Sequence, residues 1–211
     1  MTRPQCQDAF RRKVHGLTLG RRAFALGLVT VSVTWTIVFI SSCIPGAQAQ
    51  SRPNEYQVKA AYLYNFGRFI QWPTSATAAK GDSFTICVLG QDPFGTALNT
   101  TLATEAINGQ SVVARRIPSP QEALSCRILF ISSSESERLK QILAILGDAS
   151  VLTVSDLPQF TQRGGMVQLV LDGNKVRFEV NLTPVERAHL AMSSQLLKVA
   201  VNLRRSDQLG D

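Results

Sequence analysis

The sequence predicts a three-layer α/β sandwich: a mostly parallel sheet, an antiparallel C-terminal hairpin at its edge, and helices on both faces. Three observations predict it. Short apolar runs of strand type alternate with segments of helical period, the order that builds parallel strands with crossover helices. One run, Ile128–Ile131, is apolar throughout, as a strand covered on both faces must be. Near the C-terminus two strand-type runs flank Asp172-Gly173-Asn174, the spacing of a hairpin.

The elements follow in order. A polar arm, 51–54, precedes a helix over 55–72. Val58, Ala61, Tyr62, Asn65, Phe66 and Phe69 recur there at three- and four-residue steps and give one apolar, aromatic face. Pro73 stops it, and the small polar residues 74–82 form a loop. Residues 84–89 make a strand closed by Gly90. Asp92-Pro93 reads as an N-cap with proline at the first helical position, opening a helix to Leu102 that buries Phe94, Leu98 and Leu102. Asn108-Gly109 signals a turn, and 112–117 is a strand closed by Pro118 and Pro120.

After the run at 128–131, Ser132, Ser133 and Ser134 offer caps for a helix over 135–146. It buries Leu139, Ile142, Leu143 and Leu146, and Gly147 ends it. A strand over 151–154 and one helical turn over 157–162 lead to a tight turn at Gly164-Gly165. The hairpin strands are 166–171 and 175–180. Arg177 and Glu179 alternate with Val176, Phe178 and Val180, so one hairpin face is polar. Thr183-Pro184 with Glu186 opens a final helix to about Leu203. That helix is expected to bury Ala188, Ala191, Leu196, Val199 and Ala200, with Arg204 and Arg205 where its dipole favours cations.

Residues 1–49 read as an export signal, and 50–211 as a single domain. The start carries Arg3, Arg11, Arg12, Lys13, Arg21 and Arg22 against Asp8 alone. An uncharged apolar stretch covers 23–44, and Ala47-Gln48-Ala49 supplies small residues two apart for a peptidase. The stretch is long enough to serve as an uncleaved anchor. Gly20-Arg21-Arg22-Ala23-Phe24 loosely resembles a twin-arginine signal, and Ile40-Ser41-Ser42-Cys43 resembles a lipobox that would lipidate Cys43. Cleavage after Ala49 is the better match. Each route places the domain beyond the inner membrane.

Export changes the charge argument. The whole chain holds 22 basic and 15 acidic residues, net +7. Removing the leader leaves 16 basic against 14 acidic, net +2. The basicity is a property of the leader, so it gives no argument for nucleic acid as a partner. About 160 residues remain, enough for one domain with one core. Only Cys87 and Cys126 remain of the four cysteines. In an oxidising compartment they suggest one bridge; two buried free thiols are the alternative.

The residue inventory excludes most chemistry. His189 is the one histidine beyond the leader, and it falls inside the expected final helix. There is no Gly-x-Ser-x-Gly elbow, no P-loop, no Gly-x-Gly-x-x-Gly and no clustered His or Cys for a metal. No catalytic residue, metal or cofactor is expected. Asp148 and Asp156 look like cap or turn residues. Aromatic residues remain: Tyr62, Tyr64, Phe66, Phe69 and Trp72 crowd the first helix. Most belong to the core. Tyr64 falls off the apolar stripe with Arg68 four residues on, a pairing common on binding surfaces.

The run Val58-Lys59-Ala60-Ala61-Tyr62-Leu63-Tyr64-Asn65-Phe66-Gly67-Arg68-Phe69-Ile70-Gln71-Trp72-Pro73 resembles the opening signature of the YfiR/HmsC family of periplasmic proteins. Further segments fit in order: 87–95, beginning Cys87-Val88-Leu89-Gly90, then 126–132, beginning Cys126-Arg127, then 151–156, Gly164-Gly165-Met166, 176–182 and 196–200. The resemblance covers about 55–203. It implies a periplasmic regulator that is not an enzyme. A well-known member binds the periplasmic sensor domain of a membrane diguanylate cyclase and holds it inactive, lowering cyclic di-GMP and biofilm output. An outer-membrane lipoprotein can sequester that repressor. Members tend to dimerise, and a disulfide matching Cys87 and Cys126 is expected. A second disulfide of that member has no counterpart here.

On this reading the domain shifts a sensor's population by binding one conformation better than another. The expected contact residues are Tyr64, Arg68 and Trp72 on the first helix, with Arg177 and Asn181 on the hairpin. For Asn181 a helix cap or turn is the competing role, and Arg177 reads equally as a solvated strand residue. A small-molecule sensor is the alternative, because α/β sheets form crevices at strand ends.

Overall fold

The computed structural model describes residues 54–74 and 83–205. The export signal, Cys43 included, lies outside them. The first helix, α1 (Glu55–Phe69), starts on a capping box. The Asn54 side chain accepts from the Tyr56 backbone N–H at 3.2 Å, and Gln57 Oε1 accepts from the Asn54 N–H at 2.8 Å. It ends earlier than Pro73 requires. At Ile70 the backbone turns extended, and β1 (Ile70–Gln71) pairs antiparallel with β9 (Ala191–Met192).

The main sheet has eight strands. In chain order these are β2 (Ser83–Leu89), β3 (Ala106–Ile107), β4 (Gln110–Ile117), β5 (Ile128–Ile131), β6 (Leu152–Ser155), β7 (Val167–Asp172), β8 (Lys175–Asn181) and β10 (Asn202–Arg204). Their spatial order is β10-β8-β7-β6-β5-β2-β4-β3. The five strands β4, β2, β5, β6 and β7 run parallel, and β7–β8 is the antiparallel hairpin. The hairpin stands at one end of the sheet, and the short β10 adds parallel to β8 outside it. Taken by chain order, the parallel strands run 2-1-3-4-5, the flavodoxin-like arrangement.

Alternation along the strands sends side chains to two cores. Phe84, Ile86, Val88, Ile128, Phe130, Leu152 and Val154 meet α1, through Ala60, Leu63 and Phe66, and α2 (Thr96–Leu102), through Leu98 and Leu102. Cys87, Leu89, Leu129 and Ile131 face α3 (Leu139–Leu146), through Leu139, Ile142 and Leu146. All four residues of β5 are fully buried, the expectation for a strand covered on both sides. Before α3, residues Ser133–Arg138 form a 3₁₀ turn rather than the first turns of one longer helix. The Asp92 side chain caps Phe94 N–H at 2.8 Å, while the helix itself begins at Thr96, four residues after Asp92.

The last third departs from the expected long helix. It divides into α4 (Leu182–Arg187), β9, α5 (Ser194–Lys198) and β10. His189 takes a left-handed φ of 57°, which ends α4, and Leu190 N–H closes back on the Val185 carbonyl. The Ser193 N–H then donates to the Phe69 carbonyl, and its side chain caps Leu196 N–H. Pairing with the end of α1 overrides helical period here. Ala191 and Val199, expected in the core, are exposed. Residues 157–162 form turns rather than a helical turn.

The Gly164-Gly165 turn is tied to the second core. Gly164 has φ 97°, and a Cβ on Gly165 would collide with the buried Phe160 ring. Gly165→Ala is therefore expected to destabilise the fold by about 2 kcal/mol through overpacking. Urea denaturation checks this; an unchanged midpoint would show that Phe160 yields freely.

Candidate functional site

The outer side of the α1 tail carries the aromatic–arginine pair. Tyr64 is partly exposed, and Arg68 is exposed with its guanidinium 5.8 Å from the Tyr64 ring centre and 5.9 Å from that of Phe69. Such stacking holds a flexible arginine in place. The Tyr64 hydroxyl is hydrogen-bonded to the Glu105 carboxylate, which together with partial desolvation pushes its pKa up. One helical turn on, past β1, Trp72 packs edge-on against Phe84 with ring centres 5.3 Å apart.

Beneath this tail lies a cavity of about 410 Å³. Arg68, Ile70, Gln71 and Trp72 form one wall. Phe84, Gln110 and Arg127, at the amino ends of β2, β4 and β5, form the other, with Asn108 in the turn between β3 and β4. Asn108 holds φ 51°, a conformation asparagine tolerates better than most residues. Arg127 is only 1% exposed, and burial lowers its pKa from the usual guanidinium value. The Trp72 indole Nε1 is buried with no hydrogen-bond partner among the described residues.

The other expected contact residues lie elsewhere. Val176, Phe178 and Val180 point into the core shared with α1, so Arg177 faces the opposite side of β8. There it pairs with Asp172 at 3.2 Å. Asn181 is corrected from contact residue to cap: it is 3% exposed, its Oδ1 accepts from Thr183 N–H at 3.3 Å, and its Nδ2 donates to the Thr161 carbonyl at 3.0 Å. His189 is exposed in its turn, away from any helix interior. Cys87 and Cys126 are bonded to each other, with Cα atoms 6.0 Å apart, and tie β2 to the residue two before β5.

Ligands of such sheets usually enter at the carboxyl ends, where strand order reverses between β2 and β5. Here the chain's own residues fill that mouth. Gly90 sits so close to Ser134 and Glu135 that a Cβ would meet Ser134 Oγ at 2.5 Å and Glu135 Cγ at 2.8 Å. The Gln91 N–H donates to Ser134 Oγ, and the buried Glu135 is held by Arg138. No group of three or more metal-ligating side chains occurs among the described residues.

Two buried charges were missed by sequence reasoning. Lys59, 4% exposed, bonds Asp156 and Glu55, each at 2.6 Å, and Asp156 also accepts from the Tyr56 hydroxyl at 3.1 Å. Asp156 is thus an ion-pair partner across the fold as well as a turn residue. The Glu55–Lys59 spacing of four was the readable half of this cluster. Arg127 left no signal beyond its place between Cys126 and an apolar strand.

Fold and site together define an α/β domain of flavodoxin-like strand order, clasped by one disulfide, with an aromatic–arginine face over a polar cavity. The chain belongs to the YfiR/HmsC-like family, whose model matches residues 56–201. Among solved structures it is similar to a conserved domain protein from Vibrio cholerae O1 biovar El Tor strain N16961. That likeness has 10% identity and a TM-score of 0.50; it covers 71% of this chain, which spans 60% of the other chain's length. At such identity it speaks for the fold alone. A weaker likeness, at 12% identity and TM-score 0.44, is to an ABC domain from Streptococcus pneumonia in complex with L-Trp, covering 57% of this chain and 56% of that one.

Proposed function

We propose that this protein is a periplasmic regulatory binding protein that restrains a membrane-bound signalling protein, such as a diguanylate cyclase, and so lowers cyclic di-GMP and biofilm output. Family membership is the observation that carries this reading. The disulfide agrees with an oxidising compartment. Among the described residues no helix is long and apolar enough to cross a membrane. The leader at 1–49 delivers the domain, by cleavage after Ala49 or through an anchor.

The contact face is the outer side of the α1 tail, with Tyr64 and Arg68 at its centre and Trp72 at its margin. It acts by binding one state of the sensor more tightly than the other. An outer-membrane lipoprotein would compete for the domain. A homodimer would use the open edge at β10, where Val199, Val201 and Leu203 are exposed.

A membrane pull-down with the Arg68→Glu chain tests the face. Arg68 is exposed and its removal leaves the core intact, so the variant folds. Recovery of the partner is expected to fall roughly 30-fold, the loss typical of an interface hot spot. Recovery equal to wild type would discard the face.

A further inference from the structure

We infer that Met192 is an oxidation site, and that its sulfoxide opens the β1–β9 clip holding the tail of α1. The chain has three methionines, and Met1 starts the leader. Met166 is buried in the first core at 4% exposure, whereas Met192 is partly exposed. A thioether that solvent reaches is the one a peroxide attacks first. The step is a two-electron oxygen transfer. The Met192 sulfur attacks one oxygen of hydrogen peroxide, and an S–O bond forms as the O–O bond breaks. Sulfur is oxidised and the peroxide reduced; the second oxygen leaves as water with both peroxide protons.

The place of Met192 gives the change its consequence. It stands opposite Ile70, and residues directly opposite in an antiparallel pair put their side chains on one face. Ile70 is 4% exposed, and Met192 packs on the same core from its rim. Ala191 and Gln71, the other pair of the clip, are both exposed. A sulfoxide is polar and chiral, and its oxygen needs water or a donor. It cannot keep the apolar contact beside Ile70 without burying that oxygen unpaired. Little opposes the opening. Each strand of the clip is two residues long, and an isolated two-stranded pair is marginal in water. Next to the pair, the Ser193 N–H bonds the Phe69 carbonyl at 2.9 Å. Ile70 and Gln71 lead directly into Trp72, which rests edge-on against Phe84. Opening the clip therefore loosens the Trp72 wall of the cavity.

The inference goes beyond the regulatory reading and stands without it. The chain has two tryptophans, Trp35 and Trp72, so Trp35→Phe leaves Trp72 as the sole reporter. The full chain with this change, held in detergent, is treated with hydrogen peroxide, mapped by peptide mass and followed by Trp72 emission. Met192 is expected to gain one oxygen about tenfold faster than Met166. Trp72 emission is expected to shift to the red in step with Met192. It should return when methionine sulfoxide reductases A and B, one for each epimer, restore the thioether. Met192→Leu conserves side-chain volume and is expected to abolish the shift, while Met166→Leu keeps it. Reversal by the reductases keeps the test sound if either variant fails to fold. Oxidation of Met166 as fast as Met192 would overturn the site. A Met192 sulfoxide with unchanged emission, or a shift that survives Met192→Leu, would overturn the opening of the clip.

Discussion

Replacing Cys87 and Cys126 together by alanine is expected to lower the unfolding free energy by about 4 kcal/mol. That is the chain-entropy value for a bridge closing residues 39 apart. A domain of this size has about 5–15 kcal/mol in total, so between about a quarter and four-fifths of its margin would go. Both half-cystines are fully buried between β2, β5 and α3, so the change also empties part of the second core. The consequence reaches the cavity. Phe84, three residues before Cys87, and Arg127, the residue after Cys126, line opposite parts of its inner wall. The bridge therefore holds the two strand ends whose spacing sets the site. Urea denaturation of the double variant measures the loss, and Trp72 emission reports whether the wall has moved. A loss below about 1 kcal/mol would show that strand pairing alone keeps β2 and β5 in register.

Much of this was legible in the sequence where neighbours along the chain decide the outcome. Ile128–Ile131 had to be a doubly covered strand, and it lies inside the sheet with both neighbours parallel. The Asp172-Gly173-Asn174 spacing set a hairpin whose register pairs Asp172 with Lys175. The stripe on α1 put Phe66 in the core and left Arg68 exposed, but the fully buried face runs through Lys59, Ala60, Leu63 and Gly67. Val58, Tyr62 and Phe69 are only partly buried, and Tyr64, expected off the stripe, packs against the core beside them. What stayed hidden depends on partners far along the chain. The segment after Thr183 has helical period, yet Ala191–Met192 bonds to Ile70–Gln71, and no local pattern announces a pairing across that distance. The same holds for Asn181. Its side chain bonds the Thr161 carbonyl twenty residues back, which turns an apparent surface amide into a buried cap. The cavity was invisible because its walls come from the ends of five separate elements. Arg68 and Trp72 could be singled out as unusual, whereas Arg127 acquires its meaning only when β2 and β5 lie side by side.

Lys59→Met is expected to cost about 3 kcal/mol, the lower end for removing one partner of a buried ion pair, since Asp156 keeps some contact with water. The cluster joins the first turn of α1 to the carboxyl end of β6, and Asp156 lies 97 positions from Lys59. Methionine fills the aliphatic stem's space but leaves the Asp156 carboxylate, among the described side chains, with the Tyr56 hydroxyl alone. Burial pushes the Lys59 ammonium down, but its bonds to Asp156 and Glu55 outweigh that and hold its pKa above the usual lysine value. A raised lysine pKa gives a contribution fully present below the unfolded value and lost only as pH rises through the folded one. The difference between wild type and variant should thus be flat from about pH 7 to about pH 9 and shrink only in stronger alkali. Removing both charges, as Lys59→Met with Asp156→Leu, should restore most of the loss, because no unpaired buried ion remains. Denaturation of the two variants side by side decides it. A double variant as unstable as Lys59→Met would mean that the loss comes from packing of α1, and the ion pair would carry little of the link between helix and sheet.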